Sequence, residues 1–291
     1  MEREKHYKVG YVAIAGCPNV GKSTLMNKLL GQKLSIVTAK PQTTRHKILG
    51  ILSGDDFQII FLDTPGLIKP KYKLQEVMMR TAANAVRDAD VLVFMIEATT
   101  TPGQEELQFL TELDANTKPT VLVINKIDLV DKDQLLPLID RCRQLFNFAE
   151  IIPISALHAD GLDRLQMAIV SLLPEGLPFY PSDMVTEHPE RFFVSEIIRE
   201  KIFERYGEEI PYSTTVHIEE FKERPERKDY IRAAIFVERN SQKGILIGKQ
   251  GSALKQVGTF AREEIELFLG RPVYLELRVG VKEQWRQKEQ R

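Results

Sequence analysis

The chain has 291 residues, 43% of them hydrophobic and 28% charged, with a net charge of −1, which excludes a disordered chain and a uniformly polycationic nucleic-acid binder but leaves room for a local basic surface. Its two cysteines, Cys17 and Cys142, exclude a disulfide framework and a cysteine zinc site, and the five histidines show no metal-ligand spacing. The longest apolar runs, such as Val91–Ile96, are too short to cross a bilayer, and the charged start MEREKHYKVG lacks a signal-peptide pattern, so the cytoplasm is the expected compartment.

Through residue 175, short apolar runs alternate with helix-length amphipathic stretches. Strands are predicted at Tyr7–Ala15, Gln58–Leu62, Val91–Glu97, Thr120–Asn125 and Ile151–Ile154. Helices are predicted at Lys22–Leu30, Lys73–Ala89, Pro102–Ala115, Asp133–Phe146 and Leu162–Leu173. This alternation implies an α/β domain over 1–175, a mostly parallel sheet with helices on both faces. The stretch from Ile36 to Asp63 breaks the pattern: a polar loop is followed by Lys47–Leu52, which pairs as a hairpin with Asp56–Leu62 across SGD.

Pro174, Pro178 and Pro181 crowd around Gly176 in LLPEGLPFYPSD and mark a linker, 176–189. A smaller α+β domain, 190–291, follows: a helix at Glu190–Tyr206, strands at Thr214–Glu223 and Tyr230–Glu238, a helix–turn–helix at Gln242–Leu269 and a strand at Val273–Val281. Phe192, Phe193, Val194, Ile197, Ile198, Ile202, Phe203 and Tyr206 form an apolar stripe expected to pack on the domain's own sheet rather than on a membrane. Charge shifts along this part, from 10 basic against 14 acidic residues in 181–240 to 10 against 6 in 241–291. Trp285, in the basic tail, either stacks on a base or caps the last strand.

The chemistry is concentrated in short motifs at strand ends. Gly16-Cys17-Pro18-Asn19-Val20-Gly21-Lys22-Ser23, followed by Thr24, satisfies G-x-x-x-x-G-K-[ST] between a strand and a helix. There the glycines let backbone amides wrap phosphates, Lys22 meets the β- and γ-phosphates, and Ser23 is a magnesium ligand. Asp63-Thr64-Pro65-Gly66 follows a second strand, where a carboxylate can hold magnesium through water and a glycine amide can sense the γ-phosphate. In Asn125-Lys126-Ile127-Asp128, Asp128 can accept two hydrogen bonds from guanine that adenine cannot offer, Asn125 braces the loop and Lys126 packs along the ring. Ser155-Ala156-Leu157 comes last, where a backbone amide can meet guanine O6.

Together these motifs resemble the translation-factor class of GTPases. The resemblance places the first switch at Pro41-Gln42-Thr43-Thr44-Arg45 and implies that Thr44, rather than Thr43, binds magnesium beside the γ-phosphate. Leu67 stands where Ras-like proteins carry a water-orienting glutamine, so a slow intrinsic GTPase completed by a cation or a partner is expected. Gln104, in TPGQEE, is read as a solvated helix start rather than a substitute. Asn19 either ligates potassium, as resemblance to cation-dependent GTPases suggests, or merely shapes the loop.

In the second domain, Gly248-Lys249-Gln250-Gly251 lies between two helical stretches and resembles the GxxG loop of a type II KH module, which clamps single-stranded RNA. Ile245, Leu246 and Ile247 are expected to help line its apolar groove. The whole chain resembles the Era GTPases of bacteria. That resemblance implies binding of GTP and GDP, a role in 30S subunit assembly through 16S ribosomal RNA near its 3′ end, and at most a peripheral contact with the inner membrane. A monomer is expected.

Overall fold

Strands whose residues are buried on both faces must lie in the middle of a covered sheet, and the apolar runs Val12–Gly16, Gln58–Asp63, Val91–Ile96 and Thr120–Asn125 meet that condition. In the computed structural model, which describes residues 7–70, 73–112 and 118–288, they do so. The elements in chain order are β1 (Lys8–Gly16), α1 (Lys22–Leu30), β2 (Ile48–Ser53), β3 (Phe57–Asp63), α2 (Lys73–Asp88), β4 (Val91–Glu97), α3 (Gln104–Glu112), β5 (Thr120–Asn125), α4 (Lys132–Leu145), β6 (Glu150–Pro153) and α5 (Leu162–Leu172). The C-terminal end of the helix expected over Pro102–Ala115 falls in 113–117, outside the described residues.

Among the described residues, six strands form one sheet in the order β2-β3-β1-β4-β5-β6. All neighbours are parallel except β2 and β3, which pair as the expected hairpin with Ile48 opposite Asp63. Ala13, Ala15, Leu92, Phe94, Leu122 and Ile124 pack on one face with Ala82 and Val86 of α2, Phe109 and Leu110 of α3, and Leu138 and Cys142 of α4. The alternate residues Val12, Ile14, Val93, Met95, Val121 and Val123 are buried as well. Because β1, β3, β5 and β6 are parallel, the loops that follow Gly16, Asp63, Asn125 and Pro153 all leave the same edge of the sheet.

The chain divides into two compact units: one joins the part up to Ser35 with Thr44–Glu187, the other joins Ile36–Thr43 with the part from His188 onward. In the first, the proline-rich segment after α5 is strapped down rather than hanging free. Val9 donates its amide to Pro174 at 3.0 Å, and Ile51 donates to Val185 at 2.7 Å. The fully buried Gln58 accepts from the amides of Phe179 and Tyr180 and donates to the Tyr180 carbonyl, because a buried amide must find partners.

The second unit contains α6 (Glu190–Arg205), β7 (Thr215–Lys222), β8 (Asp229–Val237), α7 (Asn240–Ile247), α8 (Ser252–Leu269), β9 (Val273–Val281) and α9 (Trp285–Lys288). The sheet order is β7-β8-β9, antiparallel then parallel, and helix–strand–strand–helix–helix–strand is the order of a type II KH fold. Phe193, Val194, Ile197, Ile198, Ile202, Phe203 and Tyr206 are buried, so the stripe on α6 is core, as expected. Trp285 is buried too, donating its indole N–H to the Ser213 carbonyl at 2.9 Å, which settles it as a cap and not a base-stacking platform.

Sequence periodicity does not show that α6 is buried beyond its apolar stripe: Glu196, Arg199 and Glu200 are also buried. Arg199 pairs with Glu196 at 2.7 Å and donates to the Thr43 carbonyl. The Val37 amide donates to Glu200 at 2.9 Å, and the Lys40 ammonium caps the last turn of α6 at the carbonyls of Phe203 and Tyr206. The segment Ile36–Thr43 is thus held by the charged side of α6.

Candidate functional site

Gly16 and Gly21 make the first loop possible. Gly16 has φ +148, and a Cβ there would sit 2.3 Å from the Met95 carbonyl oxygen. Gly21, at φ +101, stands immediately before α1, and a Cβ on it would meet Asn125 Nδ2 at 2.2 Å. Only glycine admits that approach, and the approach joins two motifs more than a hundred residues apart. Asn125 donates through Nδ2 to the Val20 carbonyl at 2.8 Å and accepts through Oδ1 from the Ala156 amide at 2.9 Å. One buried side chain therefore ties the first loop, the Asn125–Asp128 loop and the Ser155–Leu157 turn together, matching the bracing role expected for it.

Lys22 is buried, and its ammonium turns back onto the carbonyls of Gly16 and Cys17 at 3.0 and 2.8 Å. Burial pushes its pKa down to about 8 against the opposing pull of Asp63. A cation in this position gains from an incoming anion. Ser23 donates to Asp63 Oδ2 at 2.9 Å, and its hydroxyl lies 3.1 Å from that of Thr44. Asp63 is fully buried, which raises its pKa, although Lys22 and neighbouring hydroxyls oppose the shift, and its Oδ1 has no partner. Of the two threonines weighed, it is Thr44 whose side chain reaches this cluster, whereas Thr43 gives its carbonyl to Arg199.

Thr64 donates to the Ile14 carbonyl at 2.8 Å, and Leu67 donates its amide to Gly16 at 3.0 Å, which holds Pro65 and Gly66 against the first loop. A Cβ on Gly66 would lie 3.0 Å from the Pro18 backbone. The Leu67 side chain is buried in the core with Ala13 and Phe94, so this position presents no group to a phosphate. Asn19 is exposed at the lip of the loop with φ 64, and Gln104 is exposed at the start of α3.

At the other end, Lys126 is left-handed (φ 65) and its ammonium pairs with Glu97. Asp128 accepts from the Ser155 hydroxyl at 2.5 Å, and this bond leads the causes that hold its carboxyl below the usual range. The Ser155 amide closes a small bridge with Asp160.

In the second unit, the Gly248–Gly251 loop stands out between α7 and α8. Lys249 and Gln250 are exposed, Gly248 has φ +72 with a would-be Cβ 2.6 Å from that of Ala253, and Gly251 (φ +76) precedes α8. Ile245 is 54% exposed, and Ile247 and Gly248 are half-buried beside it. Leu246 corrects the sequence reading: it is 0% exposed and packs in the core with Val257 and Ala261, so it supports the loop from below and lines no groove. Neighbours on a helix point a hundred degrees apart, so a run of three apolar residues cannot all share one surface.

Family comparison agrees with this geometry. A model described as "50S ribosome-binding GTPase" matches residues 11–126, and one described as "KH domain" matches 209–286. Fold and site therefore define a P-loop GTPase joined to a KH module. GTPase Era of Staphylococcus haemolyticus (strain JCSC1435) is 47% identical over 283 residues, 97% of this chain and 94% of that protein. The crystal structure of Aquifex aeolicus Era bound to GDP.AlF4- superposes with a TM-score of 0.92 at 45% identity, covering 97% of this chain and 96% of that one. A crystal structure of Era in complex with MgGDPNP and nucleotides 1506–1542 of 16S ribosomal RNA gives a TM-score of 0.93 at 45% identity, with the same coverage. The chain belongs to the Era family of GTPases.

Proposed function

We propose that this GTPase is a slow RNA-binding switch that engages single-stranded 16S ribosomal RNA near its 3′ end and acts in assembly of the 30S subunit. The reading is supported by the Era complex with nucleotides 1506–1542, formed by a protein 45% identical to this one. Within the chain, the observation that carries it is Asn125, which makes three distant loops into one guanine-nucleotide site. Residues 16–24 wrap the phosphates, with Lys22 as their counter-charge. Asp63, Thr64, Pro65 and Gly66 form the γ-phosphate sensor. Asp128 reads guanine, flanked by Lys126 and by Ser155 and Ala156.

Hard oxygen donors suit magnesium: Ser23 and Thr44 would supply hydroxyls, and Asp63 would hold the ion through water. The ion would neutralise phosphate charge when bound. What the chain itself contributes is a buried Lys22, phosphate-facing amides and exclusion of water. With Leu67 turned into the core, orientation of the attacking water falls to another group, and Asn19 at the loop lip is a candidate potassium ligand. In the KH module, Gly248, Lys249, Gln250 and Gly251 clamp the RNA backbone, with Ile245 and Ile247 beside the bases and Leu246 as structural support.

No described helix is long and apolar enough to cross a membrane. A cytoplasmic monomer, touching the inner membrane only peripherally, completes the proposal. The test is crosslinking to total RNA with GDP and with a non-hydrolysable GTP analogue, followed by sequencing. Enrichment of the 3′ end of 16S RNA that changes with nucleotide is expected. Equal, unspecific recovery in both states would sink the reading.

A further inference from the structure

Helix α8 carries two stripes where its own fold needs one. Val257, Ala261 and Ile265, spaced by four, are buried in the core of the second unit with Ile198 and Ile202 of α6. Phe260, Glu263, Glu264 and Leu267 lie roughly a quarter-turn round the helix from these. That second stripe holds two large apolar side chains in the open, Phe260 at 56% exposure and Leu267 at 83%. Single exposed apolar residues are ordinary. These two stand seven positions apart, about 10 Å along one face, and both line one groove of about 440 Å³ with Lys201 and Glu204 of α6.

The charge of the groove decides what can occupy it. Among the residues that line it, three glutamates stand against one lysine. Lys201 is taken up by the groove's own carboxylates, 2.5 Å from Glu264 and 3.0 Å from Glu204. Glu263 has Arg262 3.9 Å away, but Glu266 engages that guanidinium more closely, at 2.7 Å. A surface of this kind repels a phosphate backbone and attracts cations. The start of α8 has the opposite character: Lys249 and Lys255 are exposed there, at the loop assigned to RNA. One helix thus runs from a basic end to an acidic and partly apolar end. A polypeptide lying against RNA held at the first end must neutralise phosphates with lysines and arginines. Those are the charges that the second end accepts.

We propose that the groove between α6 and α8 docks a basic amphipathic helix of a small-subunit ribosomal protein. The apolar face of that helix covers Phe260 and Leu267, whose spacing is that of anchors two turns apart. Its basic flank meets Glu204 and Glu263, which are exposed, while Glu264 stays with Lys201. This inference rests on the small-subunit reading above and adds a protein contact to the RNA contact.

The experiment measures binding of the full chain, loaded with a non-hydrolysable GTP analogue, to two probes. One is the purified 30S subunit, the other an RNA oligonucleotide carrying nucleotides 1506–1542 of 16S ribosomal RNA. Phe260→Ser with Leu267→Ser is expected to weaken binding to the subunit at least about tenfold, the scale of losing apolar anchors at an interface. Affinity for the oligonucleotide should stay as it was. Glu204→Lys with Glu263→Lys tests the charge without touching the apolar pair, and should weaken subunit binding in a way that fades as salt rises. A photocrosslinking amino acid introduced at Leu267 should label a protein of the subunit. Unchanged subunit affinity in both variants overturns the proposal. So does labelling of 16S RNA from Leu267, or tighter oligonucleotide binding by the charge-reversed variant with no loss on the subunit, since either places RNA in the groove. An unmodified protein that binds neither probe removes the small-subunit reading itself, and this inference with it.

Discussion

The loop before α1 and the loop before α8 use the same device. In each, a glycine with positive φ, Gly21 or Gly251, stands just ahead of a helix that has no side-chain cap, leaving backbone amides open to an anion. Their lysines show how far the two then diverge. Lys22 is buried against two carbonyls with its pKa pushed down to about 8, while Lys249 is exposed on a short turn. The first loop is finished from afar by Asn125 and Asp63, whereas the second is complete within a few residues. A site assembled from distant strand ends can enclose one ligand and select it sharply. A projecting turn can follow a polymer backbone and must select weakly.

The sharpest way to break this comparison is at the base. Asp128→Asn should cost on the order of 10³-fold in GTP affinity and shift preference toward xanthine nucleotides, because a site built to hydrogen-bond the base at two points penalises the loss of that pairing. Competition binding with GTP and XTP checks it, and unchanged GTP affinity would remove Asp128 from the guanine site. RNA affinity of the nucleotide-free variant should stay as it was.

The converse change lies in the second loop. Lys249→Asp with Gln250→Asp keeps both glycines and puts two negative charges beside an RNA backbone. RNA affinity should fall at least about tenfold, or ~1.4 kcal/mol, with GTP affinity preserved. Both side chains are exposed, so the fold should be indifferent. An unmoved RNA affinity would place the RNA surface elsewhere.

These two loops were also the parts most legible in the sequence, for a physical reason. A phosphate loop and a GxxG turn are contiguous, and their glycines are dictated by φ and close approach. Strands buried on both faces were equally plain as apolar runs. What escaped was decided by partners far along the chain. Nothing in the apolar stripe of α6 marks Glu196, Arg199 and Glu200 as buried, yet they are, with the Val37 amide on Glu200 and the Thr43 carbonyl on Arg199. Leu246 read as groove because linear order does not show which way a helical residue points.

A smaller effect is expected at the lip of the first loop. If Asn19 ligates potassium, turnover should be a few-fold faster in K⁺ than in Na⁺ at equal ionic strength, since a cation beside the phosphates offsets charge developing in the transition state. Asn19→Ala should erase the difference and leave nucleotide affinity nearly unchanged. Equal rates in both salts for the unmodified protein would reduce Asn19 to a loop-shaping residue and point to a group supplied by a partner.

The finest test asks whether the base loop is tuned or only assembled. Asp128 is held below the usual carboxylate range first by the Ser155 hydroxyl, against a smaller opposing push from burial, with its own amide, His158 and Lys126 adding to the downward pull. For a group whose folded pKa is depressed, the favourable contribution is present above the ordinary carboxylate value. It is lost only as pH falls through the depressed one. Guanine recognition needs the ionised carboxylate, so GTP affinity should persist on acidification beyond the point where an unsupported aspartate would fail. Ser155→Ala removes the largest downward cause and moves the Asp128 pKa back up. Its GTP affinity should match the unmodified protein within a few-fold near neutrality and then fall away at a higher pH, in the region around pH 4 to 5 where ordinary carboxylates begin to protonate. Mant-GDP titrations across that range, with circular dichroism to show that both proteins remain folded, measure the separation. Superimposable pH profiles would mean that the Ser155 hydroxyl only packs against Asp128, and that guanine recognition at this site owes nothing to a tuned carboxylate.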